Sequence, residues 1–354
     1  MADDRSNRIL ACDGGGIRGV FSLGVISKIE RDLRTLHDQP DLVLADVFDL
    51  FAGTSTGAII ATTLCWGMPV DEVLRLYREN GAAMFAPQPW YKKHKSRFRA
   101  DALGNVFKQL FREPDGNEAL LSTDQLRKLL LVVMRNASTD SPWPVNNNPN
   151  AVYNLRSNPD CNLDVPIWKL LRGSTAAPTF FEPEVIEFGG KPFTFIDGGI
   201  TPYNNPAFIA FLSATLEPYN LCWDTGADKL TIVSVGTGGA RAPAEPVRPG
   251  RAALDSFLKQ VAYVPPALIS SVVMHQDMLC RLFGQCIVGA ELDSEIGDLH
   301  TCGRLVEPPL FSYFRFDQPA QRRIRLDDVS QIDTLYQMGV AYADEHVDAA
   351  AIVG

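Results

Sequence analysis

The 354-residue chain contains no apolar run approaching the ~18 residues of a membrane span, so any contact with a bilayer is expected to be peripheral. It also lacks a C-x-x-C pair. Its seven cysteines (positions 12, 65, 161, 222, 280, 286 and 302) are odd in number and scattered, which argues against a disulfide framework or a close-spaced metal site. A reduced, cytoplasmic chain is the expectation. Positive charge is in short supply: 33 Lys and Arg against 42 Asp and Glu give a net charge of -9, which argues against general affinity for DNA or other nucleic acid. The opening MADDRSNR is acidic and polar, unlike a secretory signal.

With 46% hydrophobic and 21% charged residues, the composition is that of a globular protein. RILAC reads as a short buried strand, and Ile26, Ile29, Leu33 and Leu36 recur at helical spacing after it. VFDLFA followed by AIIATTLC reads as strand, sharp turn and buried helix. VDEVLRLYREN and ADALGNVFKQLF are amphipathic helices. STDQ looks like the capping start of another helix running into LLLVVM, and SPWPVNNNPN reads as a long surface loop. VPIWKLLRGS predicts a short helix, EVIEF and PFTFI two strands around GGK, and KLTIVSVGTGG the last clear strand. The architecture expected is α/β, a layered sheet with helices on both faces. Residues 1–239 form its α/β region in this reading, and 240–354 a mostly helical cap packed on it as one continuous domain.

CDGGGIRG, Cys12 to Gly19, raises two possibilities. Gly14, Gly16 and Gly19 fit the dinucleotide spelling G-x-G-x-x-G behind a strand. Yet Val20 stands where a P-loop needs Lys, and HDQPD, about 20 residues on, is a turn rather than a strand end carrying an acid. The nucleotide reading weakens. Adjacent unhindered glycine amides at a helix start, with Arg18 beside them, equally suit a developing anion.

GTSTG, Gly53 to Gly57, has the form G-x-S-x-G, which presents a serine on a strained strand-to-helix turn. Ser55 then needs a base. Of the five histidines (37, 94, 275, 300 and 346), His275 or His300 could complete a Ser-Asp-His order, though neither lies in a strand-end loop. Asp197 is better placed, because PFTFI delivers it to the DGG turn where a partly desolvated carboxylate can act directly.

DGGGIRG, GTSTG and DGG, in this order and with RGSTAAPTFF between the last two, resemble the patatin-like phospholipase family over roughly Arg8 to Gly239. The resemblance implies Ser55 as nucleophile, Asp197 as its partner in a dyad, and Gly14, Gly15, Gly16 and Arg18 as the oxyanion loop. It further implies hydrolysis of acyl esters in membrane phospholipids, without metal or organic cofactor, at the inner membrane surface. SPWPVNNNP and HQDMLCR add a resemblance to the bacterial members of that family activated by cyclic di- or trinucleotides in anti-phage signalling. The basic stretch KKHKSRFR (Lys92, Lys93, Lys95, Arg97 and Arg99), following FAPQPWY, suits an anionic membrane or a phosphate-bearing ligand. A Ser-His-Asp esterase and a non-catalytic lipid- or nucleotide-binding module are the rival readings.

Overall fold

A computed structural model describes residues 5–89, 96–238, 257–292, 296–299, 305–318 and 324–354. The chain opens with strand β1 (Asn7–Cys12), helix α1 (Gly19–Leu36), strand β2 (Leu50–Thr54) and helices α2 (Thr56–Cys65), α3 (Val70–Met84) and α4 (Ala100–Leu110). Strands β3 (Leu129–Asn136) and β4 (Ser141–Asn146), helix α5 (Ile167–Ser174) and strands β5 (Glu184–Phe188) and β6 (Lys191–Asp197) follow. Then come α6 (Ala207–Thr215), β7 (Leu230–Val235), α7 (Phe257–Phe283), β8 (Gln285–Val288), β9 (Ser312–Phe316), α8 (Ile332–His346) and α9 (Ala349–Val353).

The nine strands of the described residues join one sheet in the order β5-β6-β3-β2-β1-β7-β9-β8, with β4 on β3. The central pairs β3/β2, β2/β1, β1/β7, β7/β9 and β9/β8 are parallel, while β4, β5 and β6 form an antiparallel margin. Alternation sends successive side chains to opposite faces. Leu10 and Cys12 of β1 pack into the core beneath α1 and α2, whereas Ile9 and Ala11 pack with Ala207, Ala210 and Phe211 of α6. Helices therefore cover both faces, as the sequence predicts.

Three stretches differ from the sequence reading. LLLVVM is strand β3 rather than helix. Its continuous apolar run is what a strand covered on both faces requires, and Thr123 caps Gln125 N–H at 3.1 Å within a turn, not a helix start. SPWPVN is strand β4 rather than loop. Its prolines sit on an outer strand, where missing N–H groups leave no ladder partner wanting, and Trp143 is clasped by Phe188, Phe193 and Phe195 at ring distances of 5.2–5.5 Å. After β7 the chain supplies helices α7 to α9, as expected, but also two further strands, β8 and β9.

Register along β3 is what positions the site. Residues 131–133 lie between β4 and β2, with Val133 opposite Thr54; from Met134 onward β6 takes the place of β2, with Met134 opposite Asp197. The residue that follows Thr54 must therefore emerge beside Asp197. That residue is Ser55.

Candidate active site

Ser55 occupies the single-residue corner between β2 and α2 with φ 55° and ψ −121°, a strained conformation for a residue with a side chain. Close approach makes the corner possible: a Cβ at Gly57 would lie 2.7 Å from the Asp13 carbonyl oxygen, so the start of α2 rides directly on the end of β1. The amide of Ser55 donates to Ser174 Oγ at 2.9 Å, and that hydroxyl donates onward to the Val133 carbonyl at 2.7 Å. Thr54 Oγ1 donates to the Tyr203 carbonyl at 2.7 Å. The strained corner is thus fastened on both sides.

Ser55 Oγ donates to Asp197 Oδ2 at 2.7 Å. The other oxygen, Oδ1, accepts the Gly199 amide at 2.6 Å, and the Asp197 amide donates to the Ala176 carbonyl at 3.0 Å. Asp197 is only 5% exposed. Burial pushes its carboxyl up to about 6, partly offset by the Gly199 and Ser55 hydrogen bonds. At neutral pH it is an ionised acceptor of greater basicity than an ordinary aspartate.

The glycine loop lies against this pair, since a Cβ on Gly14 would stand 3.3 Å from that of Ser55. Gly14 is clamped by Asn204: its N–H donates to the Asn204 carbonyl at 3.0 Å, and Asn204 Nδ2 donates to the Gly14 carbonyl at 3.3 Å. Among the described residues no acceptor meets the amides of Gly15 and Gly16. Gly16 has φ +59°, and a Cβ there would lie 2.5 Å from the Leu326 carbonyl oxygen. Arg18, half-buried, turns Nε toward the Gly15 carbonyl at 3.5 Å.

Beneath the loop sits a buried ion network absent from the sequence reading. Arg315, from the middle of β9, donates to both oxygens of Asp13 at 2.9 and 2.7 Å, to Ser234 Oγ at 2.8 Å and to Asp317 at 2.7 Å. Burial raises the Asp13 carboxyl to about 6 even against the pull of Arg315, so the pair is ionised at neutral pH. Asp317 in turn accepts the Gly238 amide at 3.0 Å. One guanidinium thus ties together the ends of β1, β7 and β9.

The histidines lie elsewhere or outside view. His275 is exposed on α7 and is not among the hydrogen-bond partners of Ser55 or Asp197. His37 caps α1, and His346 stacks on Tyr342 with ring centroids 4.2 Å apart. His94 and His300 fall outside the described residues, as do Lys92, Lys93 and Lys95 of the basic stretch. Among the described residues no cluster of three or more His, Cys, Asp and Glu has the makings of a metal site, and no helix is long and apolar enough to cross a membrane.

With this geometry in hand, the family model for patatin-like phospholipase matches residues 10–211, more than half of the chain. The chain belongs to the patatin-like phospholipase family. It is 28% identical over 237 residues to a cGAMP-activated phospholipase of Escherichia coli, covering 66% of this chain and 62% of that one. It is 30% identical over 215 residues to a cUMP-AMP-activated phospholipase of the same species, covering 60% and 61%. A probable inactive patatin-like protein 9 of Arabidopsis thaliana is 26% identical over 254 residues, covering 69% and 64%. The match thus spans 61–64% of the length of these relatives. A family that includes a member named as inactive makes the state of the individual site decisive.

Proposed function

We propose that this chain is a lipid acyl hydrolase of the phospholipase A type working through a Ser55–Asp197 dyad. The observation that carries the reading is the 2.7 Å bond from Ser55 Oγ to a buried carboxylate that is more basic than an ordinary aspartate. Asp197 takes the hydroxyl proton as Oγ attacks the ester carbonyl carbon. The tetrahedral oxyanion is held by the amides of Gly15 and Gly16 and by the N-terminus of α2. In this reading Gly14 and Arg18 shape the loop: the Gly14 amide is already engaged, and Arg18 braces the Gly15 carbonyl while adding positive charge. Collapse breaks the acyl–oxygen bond, and the departing alcohol of the lysolipid takes the proton from Asp197. Water then attacks the acyl-serine, gives its proton to Asp197, and Ser55 leaves with that proton as the fatty acid is released.

The substrate side rests on family membership, and the control side on the two bacterial relatives named as activated by cyclic dinucleotides. We place phospholipid of a membrane surface, met peripherally from the cytoplasm, as the substrate and a cyclic di- or trinucleotide as the activator. The test is mass spectrometry of fatty acid and lysolipid released from mixed phospholipid vesicles, with and without a panel of cyclic di- and trinucleotides. Wild type releases fatty acid; Ser55→Ala and Asp197→Asn do not, and His275→Ala does. Labelling of wild type by a fluorophosphonate probe, with no fatty acid released under any condition, would remove phospholipid from the reading.

A further inference from the structure

An open cleft of about 760 Å³ lies between the segment that follows α3 and the segment that precedes α8. Its walls carry Phe85, Phe98, Arg97 and Arg325, with Asp327 between the two arginines. Arg97 lies over the rings of Phe98 and Phe180, at 5.3 and 5.9 Å, and its Nη2 is 3.1 Å from Asp327. Arg325 donates to both oxygens of the same carboxylate at 3.1 Å. Asp327 is nearly buried, at 7% side-chain exposure, while Arg97 and Arg325 are 51% and 65% exposed. Burial works to raise the Asp327 carboxyl, but the Arg325 hydrogen bonds and the charge of Arg97 hold it below the usual range. Asp328, also on the wall, is turned away to the amide and hydroxyl of Ser330, at 3.3 and 2.6 Å.

One carboxylate shared by two guanidiniums fixes both side chains. With Asp328 the four charges of the wall sum to zero, so the cleft offers a ligand the exposed guanidinium donors, with Asp328 held toward Ser330, rather than net charge. Two planar guanidiniums, Arg97 backed by the Phe98 and Phe180 rings and Arg325 braced on the shared carboxylate, match a phosphodiester, which is singly charged and presents oxygens to both. We propose that this cleft binds a phosphodiester, supplied either by the headgroup of a phospholipid or by a soluble nucleotide. The proposal deepens the acyl-hydrolase reading and rests on it for its consequence.

That consequence follows from the backbone. The carbonyl of Leu326, between Arg325 and Asp327, accepts the Ile17 amide at 2.9 Å, directly after Gly16. On the opposite wall, the amides of Arg97 and Phe98 donate to the carbonyls of Thr179 and Phe180 at 3.0 and 2.8 Å. The same segment supplies the Ala176 carbonyl that holds the Asp197 amide. A ligand drawing the two arginines together therefore pulls on the glycine loop from one side and on the base from the other. Binding and chemistry are linked through two short runs of main chain.

Calorimetric titration of the Ser55→Ala protein tests binding without turnover. The probes are cGAMP and, separately, monomeric dihexanoyl phosphatidylglycerol; Arg97→Gln and Arg325→Gln are added singly, with thermal melts to show that the fold is kept. The expected result is binding of one probe, weakened about tenfold or more by either substitution, the scale of a lost hydrogen bond to a charged group. In proteins retaining Ser55, a nucleotide site appears as stimulation of p-nitrophenyl butyrate hydrolysis by cGAMP that Arg325→Gln diminishes. A headgroup site appears as a tenfold fall in the ratio of kcat/KM for phosphatidylglycerol over p-nitrophenyl butyrate. Binding of neither probe, or equal binding to all three proteins, overturns the proposal. Intact probe binding with no ester hydrolysis would sink the hydrolase reading and leave the cleft assignment standing.

Discussion

Arg315 grips both oxygens of Asp13 from a strand 302 positions away in sequence, and both side chains are almost wholly buried. Replacing Arg315 with Gln leaves Asp13 and Asp317 without their cation in a low-dielectric site. Breaking such a pair costs about 3–5 kcal/mol. Urea unfolding of Arg315→Gln should show that loss, and Arg315→Lys should recover part of the charge but not the two-pronged grip. A variant as stable as wild type would show that the network holds nothing in place.

Under the Ser55–Asp197 proposal, acid should abolish ester hydrolysis. The Asp197 carboxyl stands near 6, so the proton-accepting form is lost below that value and kcat/KM on a soluble ester falls about tenfold per unit. A pH–rate profile still flat at pH 5 would point to a different base.

The same raised value makes Asp197→Asn a stabilising change. A carboxyl held near 6 in the fold and near 3.8 in the unfolded chain binds its proton more tightly when folded, so wild type loses stability as pH rises between those values. Two pH units correspond to about 3 kcal/mol. Asparagine carries no charge to desolvate and still offers an acceptor to the Gly199 amide. Thermal melts of Asp197→Asn and wild type should nearly coincide at pH 4 and separate in favour of the variant by pH 7, with activity gone.

Gly16→Ala should damage catalysis more than binding. A methyl group there meets the Leu326 carbonyl at 2.5 Å, and the backbone is left-handed, so the loop must shift and its amides with it. Displacing an oxyanion donor lowers kcat by about a hundredfold or more, with KM little changed. Steady-state kinetics on a soluble ester decides it.

Ser174→Ala strips one acceptor from the Ser55 amide and one donor from the Val133 carbonyl, in a fully buried position. The cost to stability is about 1–3 kcal/mol. Because the corner relaxes without its anchor, kcat should fall while fluorophosphonate labelling persists at a slower rate. Unaltered labelling kinetics would show that the corner holds itself.

Ser55 and Asp197, which the structure brings together, could be singled out in the sequence because each stands at a turn that small residues make possible, and those turns are local. The supports are not local. Arg315 sits in SYFRF, where a charge in mid-strand gives no sign of the two carboxylates that neutralise it. β3 escaped for a different reason: a strand covered on both faces has no alternation, and a continuous apolar run preceded by STDQ reads equally as helix. Ser174 did lie within RGSTAAPTFF, yet nothing in that spelling says that its hydroxyl reaches across to the Ser55 amide. The alternating EVIEF and PFTFI, by contrast, are half-covered strands around a glycine turn, and their pairing was legible.

β9 lies between β7 and β8, and it carries the guanidinium under the glycine loop. During synthesis the nucleophile and its base leave the ribosome long before residue 315 does. A chain that stops short of β9 would hold Ser55 and Asp197 beside an uncovered β7 edge, with Asp13 still lacking the guanidinium that neutralises it. The tie between the ends of β1 and β7 is thus made last, by a strand that follows both along the chain.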